Sequence, residues 1–252
     1  MQGARRIEGS VALVTGANRG IGRALTEALL ERGAEKVYAT ARDPRTLGAL
    51  RERYGSRVVA LRLDVTDADQ VAEVAREASD VDVLINNAGA FEPTELSDEA
   101  IVDVARREME VNYFGALRML HGFQDTLVRR GGVIVYVGSA AGLTNVPLQP
   151  TYSASKAAQH SLTQASRALL AGRGVTVHGV YPGPVDTDMT KDLPPQFEKT
   201  APEDVANEVL DGVEAGDEDI FPDPFSVAFG EQFHSSPKSA ERQLAAIVAI
   251  PA

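Results

Sequence analysis

Val11-Ala12-Leu13-Val14-Thr15-Gly16-Ala17-Asn18-Arg19-Gly20-Ile21-Gly22 is an apolar run that ends in a glycine-rich turn and passes straight into a helix-period pattern. A strand closing on glycines lets the backbone turn sharply and approach an anion. The helix behind it aims unpaired N–H groups and the positive end of its dipole at the same point. Gly16 and Gly20 serve the turn and the close approach, and Gly22 lets the helix pack closely. The spacing Gly-x-x-x-Gly-x-Gly differs from Gly-x-Gly-x-x-Gly but makes the same physical demands. The segment reads as the phosphate cradle of a dinucleotide site.

Outward from this segment, runs that read as buried strands occupy residues 11–15, 36–40, 58–63, 81–86, 133–137 and 175–181, with helix-period segments near 21–32, 68–78, 98–120, 152–171 and 202–214. The alternation implies βαβ crossovers. Near-continuous Val, Ile and Leu strands are what a sheet covered on both faces needs. The expected fold is therefore α/β: a single-domain, Rossmann-type, doubly wound parallel sheet over residues 1–252, helices on both faces, ligands beyond the carboxyl ends of the strands. From Gly216 onward Asp217-Glu218-Asp219, Pro222, Pro224 and Pro237 change the pattern to loop, short strand and a last helix near 239–249.

The chain of 252 residues, 44% hydrophobic and 24% charged, is long enough for one large core, and fraying is expected only at ends such as residues 1–8. The absence of cysteine excludes disulfides, thiol catalysis and thiolate metal sites and fits a reducing compartment, so a cytoplasmic location is expected. Arg5 and Arg6 precede a stretch broken by threonine and glycines, which lacks the core of a signal peptide. No run is long enough to span a bilayer, including the apolar residues 244–250. A net charge of -11 argues against general nucleic-acid binding. His121, His160, His178 and His234 have no ligand spacing, and no metal is expected. The acids Glu92, Glu95, Asp98 and Glu99 read as a solvated helix start.

The strand ends carry the chemistry. The fourth strand runs into Asn86-Asn87-Ala88-Gly89, where a cofactor ribose would pass, and the fifth into Gly138-Ser139. Tyr152 follows, with Lys156 one helical turn beyond, so phenol and ammonium can point into one cleft. A tyrosine pKa of about 10 must fall by about three pH units, roughly 4 kcal/mol, for the phenol to act as a base at neutral pH. A lysine ammonium about 4 Å away contributes on the order of 4 kcal/mol at an effective dielectric of 20, before desolvation is subtracted.

With Asp64, Asn112, and Pro182-Gly183 with Thr187, these motifs stand in the order and approximate spacing of the classical short-chain dehydrogenases/reductases, and the chain from about Val11 to Thr187 resembles a carbonyl-reductase-like, NADP-dependent member. The resemblance implies a catalytic triad of Ser139, Tyr152 and Lys156, completed as a tetrad by Asn112, which would hold a water linking Lys156 to solvent. Asn112 alternatively bends or caps the long helix through local hydrogen bonds. Tyr152 would be general acid in carbonyl reduction and general base in alcohol oxidation, and Ser139 the donor to the substrate oxygen. Lys156 would also bind the nicotinamide ribose. Implied cofactor contacts are Gly16, Asn18, Arg19, Gly20, Ile21, Gly22, Arg42, Asp64 with Val65 at the adenine, Asn87, Ala88, Gly89, Tyr152, Lys156, Pro182, Gly183, Val185 and Thr187.

NAD-preferring sites place an acid where the second strand ends, but this strand ends Ala39-Thr40-Ala41-Arg42. Arg42, with Arg19 as a second cation, could grip a 2′-phosphate, so NADP(H) is expected, with NAD(H) as the alternative. Asp43 could pair with Arg42 or bind a 2′-hydroxyl itself. The expected activity is hydride transfer between the nicotinamide and a ketone, aldehyde or secondary alcohol, reduction favoured. The alternatives are an NAD-dependent secondary-alcohol dehydrogenase and a non-catalytic nucleotide-sensing module. Residues 188–201 would form a short substrate flap, or a plain surface loop around Lys191–Phe197, and Leu143, Thr144, Asn145, Pro147 and Met189 would line the substrate pocket. Residues 216–252 depart from the family's glycine-rich closing strand, Ile220-Phe221-Pro222-Asp223-Pro224 standing in its place, which leaves a homodimer or homotetramer open.

Overall fold

The computed structural model describes residues 6–193 and 197–246. Pro194, Pro195 and Gln196 of the expected flap, residues 247–249 of the expected last helix and residues 1–5 lie outside them. Among the described residues a seven-stranded, all-parallel sheet runs in the order β3-β2-β1-β4-β5-β6-β7. Its strands are β1 (Val11–Val14), β2 (Lys36–Ala41), β3 (Val58–Arg62), β4 (Val83–Asn86), β5 (Val133–Val137), β6 (Thr176–Val180) and β7 (Asp219–Ile220). Every residue of β1, β4 and β5 is buried, as a sheet covered on both faces demands.

Alternation along the strands divides the core into two layers. Ala12, Val14, Val37, Val83, Ile85, Val133 and Val135 face the layer of α1 (Gly20–Glu31), α2 (Gly48–Tyr54) and α7 (Pro202–Ala215), where Leu25, Leu29, Leu50, Val209 and Leu210 are buried. Val11, Leu13, Tyr38, Leu84, Ile134 and Tyr136 face α3 (Ala68–Glu77), α5 (Ala116–Arg130) and α6 (Pro150–Leu170), through Val71, Val74, Met119, Phe123, Leu127 and Leu162. The doubly wound parallel fold expected from the sequence is therefore the one observed.

The expected helix 98–120 differs in detail. Asp98 turns its carboxylate onto Glu95 N (2.7 Å) and Thr94 Oγ1 (2.8 Å), closing a turn outside the helix. α4 (Ile101–Met109) starts beyond it, passes through a π-helical turn at Glu110–Gly115 and continues as α5 to Arg130. In the tail, β7 adds a short parallel edge to β6, and α8 (Pro224–Ser235) and α9 (Pro237–Ala245) form a small cluster of their own around Phe229, Ala240 and Leu244. Among the described residues no helix is long and apolar enough to cross a membrane.

The chain winds from β1 outward to β3 and then crosses to β4 on the other side of β1. The loops leaving β1 and β4 therefore flank a crevice at the topological switch point, where ligands of such sheets bind.

Candidate functional site

The two loops of the crevice are laced together. Thr15 Oγ1 accepts hydrogen bonds from Asn87 N and Ala88 N, both 2.9 Å, and Asn87 Nδ2 donates to the Thr15 carbonyl at 2.8 Å and the Gly16 carbonyl at 3.3 Å. Gly16 and Gly20 have φ of 67° and 52°, the left-handed region that favours glycine. At Gly22 the constraint is space: a Cβ there would lie 2.3 Å from the Gly16 carbonyl oxygen and 2.4 Å from Asn87 Nδ2. The close approach expected of Gly22 is thus made to the loop itself. The result is a backbone cradle that side chains would fill, at the N-terminus of α1, which fits the pyrophosphate of a dinucleotide.

A cleft of about 550 Å³ opens over this cradle. It is lined by Gly16, Asn18, Arg19, Gly20, Ile21, Gly22, Arg42, Asp64, Val65, Asn87, Ala88, Gly89, Tyr152, Lys156 and Thr187, all named from the sequence. Pro182, Gly183 and Val185 are not among the lining residues. The Pro182 carbonyl accepts from Ala140 N at 3.0 Å, Gly183 N donates to Asp223 Oδ2 at 2.8 Å, and Val185 is buried in the core. Pro182 and Gly183 brace the end of β6 against the β5 loop and the start of α8.

At the far end of the cleft Arg42 is exposed and, among the described residues, carries no ion pair. Asp43 does not pair with it. The Asp43 carboxylate is held by Arg45, whose Nε and Nη2 lie 2.9 and 2.8 Å from it, and these bonds pull its pKa down to about 2. Arg19 is committed elsewhere: it pairs with Asp188 at 2.8 Å across the cleft mouth, because Thr187 packs over Gly20 and delivers the next residue there. Asp64 spends Oδ1 on Thr66 N and Oγ1.

At the inner end, α6 places Tyr152 and Lys156 on one face, 9% and 4% exposed, with Lys156 Nζ 5.8 Å from the phenol ring centroid. Nζ donates to the Val137 carbonyl and to Gln159 Oε1, each at 2.9 Å. The expectation of a phenol made acidic by the lysine is corrected here. Burial pushes Tyr152 up to about 12; the Ser139 hydroxyl opposes this and Glu108 adds to it. Burial likewise pulls Lys156 down to about 7. Desolvation, not subtracted in the sequence argument, is the largest cause for both groups.

Ser139 stands at the end of β5, its Oγ accepting from Ala141 N at 3.2 Å. Asn112, fully buried in the π-helical turn, uses its amide as a clamp: Oδ1 accepts from Ala90 N at 2.8 Å, and Nδ2 donates to the Ala90 carbonyl at 2.9 Å and to Ser155 Oγ at 2.8 Å. One turn earlier Glu108 Oε1 accepts from Glu92 N at 2.9 Å. Together they fasten the loop that sets Phe91 edge-on against Tyr152, centroids 5.4 Å apart. Glu108 and Gln159 were missed from the sequence. Glu108 sits among surface charges of an amphipathic helix and gave no signal, whereas Gln159, three residues past Lys156 on the same helix, was readable.

A second cleft of about 520 Å³ adjoins the first, with Phe91, Pro93, Leu148, Met189 and Leu193 among its walls. Of the expected pocket residues only Met189 lines it. Leu143 packs with Ala140 and Phe229, and Asn145 bonds to the Pro150 carbonyl.

A glycine cradle at a sheet's switch point, opening beside a buried tyrosine and lysine, defines a nucleotide-binding protein of the doubly wound α/β class. The family model for short chain dehydrogenase matches residues 10–198, and the chain belongs to that family of oxidoreductases. A short chain dehydrogenase from Burkholderia cenocepacia J2315, solved in complex with NADP, is 39% identical with a TM-score of 0.89, the match covering 95% of this chain and 99% of that one. The 3-oxoacyl-acyl-carrier-protein reductase of Vibrio harveyi is 34% identical over 241 residues, 93% of each chain. The L-rhamnose 1-dehydrogenase (NAD(P)(+)) of Sphingomonas sp. (strain SKA58) is 35% identical over 195 residues, 74% of this chain and 76% of that one.

Proposed function

We propose that the protein is an NADP(H)-dependent oxidoreductase that reduces a ketone or aldehyde carbon of a small molecule, with Tyr152 as proton donor. The observation that carries this reading is the convergence in one cleft of the glycine cradle, Arg42, which among the described residues has no ion pair, and the buried Tyr152 and Lys156. The similar protein bound to NADP and the relative named for 3-oxoacyl reduction support it.

The Arg42 guanidinium would hold the 2′-phosphate, while Arg45 keeps the Asp43 carboxylate from opposing it. NADPH, when bound, supplies the hydride. The chain's own part is the proton and the charge. With burial raising its pKa, Tyr152 is protonated at neutral pH and would give its phenolic proton to the carbonyl oxygen. Ser139 donates a hydrogen bond to the same oxygen, and Lys156 stabilises the phenolate left behind. Hydride on carbon and proton on oxygen complete the alcohol. Asn112 acts by fixing the Ala90 backbone beside the reacting groups. Residues 188–201 are the proposed flap, of which Asp188, Met189, Lys191, Asp192 and Leu193 line the second cleft; a homodimer or homotetramer is the proposed assembly, and the cytoplasm, which suits a cysteine-free chain, the proposed compartment.

Purified protein offered ketones, aldehydes and a 3-oxoacyl thioester should consume NADPH in preference to NADH. Tyr152→Phe should lose about 10²- to 10⁴-fold of that turnover while keeping nucleotide affinity. Turnover that survives Tyr152→Phe, or a chain that binds nucleotide but reduces nothing in the panel, would count against the assignment.

A further inference from the structure

Gln159 lies on α6 just beyond Lys156, 1% exposed, with its Oε1 accepting from Lys156 Nζ at 2.9 Å. The Val137 carbonyl at the end of β5 accepts a second bond from the same nitrogen, also 2.9 Å. The other end of the amide, Nε2, is buried with no hydrogen-bond partner among the described residues. An amide with an unpaired NH₂ is a costly occupant of a packed interior, and an apolar side chain of similar size would avoid the penalty. What such a side chain lacks is the oxygen turned to the lysine.

We propose that Gln159 is a positioning residue: its amide oxygen and the Val137 carbonyl take two of the ammonium N–H groups of Lys156, keeping the side chain charged and leaving the remaining one for the cleft. This rests on the reading of Lys156 as the cation that supports the Tyr152 phenolate. Burial leaves Lys156 near neutrality, at about 7, so a single hydrogen bond to the charged form decides its state there. The titratable groups facing it are Tyr152 on its own helix and Glu108 of α4, which acts on Tyr152. Asn112 from the π-helical turn and Ser139 from the end of β5 present neutral dipoles, and the turn packed on its backbone supplies only Ala140, Ala141 and Gly142.

The chain's lysines are Lys36, Lys156, Lys191, Lys199 and Lys238, few enough for each side chain to be followed by NMR titration of isotope-labelled lysine in nucleotide-free protein. In Gln159→Leu the Lys156 midpoint should fall by about one pH unit, the loss of one charge-assisted hydrogen bond. In Gln159→Glu it should rise above that of the wild type. Gln159→Met, closer in shape, replaces the leucine variant should that one not fold. With NADPH and a reducible ketone, the alkaline limb of kcat/KM for Gln159→Leu should move to lower pH by the same amount, so that its deficit closes on acidification. A midpoint unmoved in both variants, with native Lys36 and Lys238 signals, overturns the proposal, as does a rate deficit independent of pH. A midpoint that moves as expected in a protein without turnover upholds the hold on Lys156 and sinks the reductase reading instead.

Discussion

Arg42→Ala tests the cofactor preference at the point where the structure is most specific. Arg42 is exposed and, among the described residues, carries no ion pair, so its removal releases no protein carboxylate. A charge-assisted hydrogen bond to a phosphate contributes about 1.5–3 kcal/mol, and solvent screening at an exposed position keeps it near the lower end. At 1.4 kcal/mol per tenfold, the ratio of kcat/KM for NADPH to that for NADH should drop by about 10- to 30-fold. The loss should fall on NADPH, with NADH kinetics little changed. Arg45→Ala is the companion. Arg45 holds Asp43 through contacts of 2.8 to 3.1 Å, and freeing that carboxylate should lower the same ratio by a few-fold, now also through better use of NADH. Steady-state kinetics with both nucleotides at fixed ionic strength measure all of these. A ratio within about threefold of the wild type in Arg42→Ala would refute the reasoning.

Gly22→Ala places a methyl 2.3 Å from the Gly16 carbonyl and 2.4 Å from Asn87 Nδ2, both tied into the lacing of the two loops. Overpacking of this kind costs about 1–3 kcal/mol, and nucleotide affinity measured by calorimetry should fall at least roughly tenfold; unchanged affinity would contradict the cradle. Glu108→Gln tests the buried carboxyl of α4. Burial pushes its pKa up, opposed by the Glu92 N–H and the Thr151 hydroxyl, and its Oε2 has no hydrogen-bond partner among the described residues. A raised carboxyl pKa means that ionisation opposes folding once pH exceeds the folded value, a penalty absent below the unfolded value of about 4.3. The glutamine variant should therefore melt about 2–4 °C higher than wild type at mildly alkaline pH, the gain shrinking toward pH 4. A gain that grows on acidification would reverse the sign of the argument.

The glycine turn, the apolar strands and the Tyr152 and Lys156 spacing were legible because each is a local pattern with one physical meaning. The limits lay where geometry is decided at long range. Nothing near Arg19 announces Asp188 as its partner, and the two-residue β7 is too short for a periodic signal. Pro182, Gly183 and Val185 were placed at the cofactor by resemblance, and nothing local announced that they also bond Ala140 and Asp223 and pack into the core. The acidity of Tyr152 was misjudged because a pairwise Coulomb estimate sees the lysine and not the loss of water around both groups. α2 was passed over since it is short and follows a turn opened by Pro44.

The widened turn at Glu110–Gly115 explains how one rod can serve two surroundings. Each residue of a regular helix advances about 100° around the axis, so one additional residue in a turn swivels everything before it relative to everything after it by nearly a third of a revolution. Upstream, that swivel directs Glu108 sideways to the loop beside the tyrosine, and Asn112 within the turn reaches the same loop; downstream, Met119, Phe123 and Leu127 stay plugged into the sheet. Shortening the turn by a single residue would mend the regular bonding of the rod and, in the same stroke, unhook the reactive end of the cleft from its scaffold.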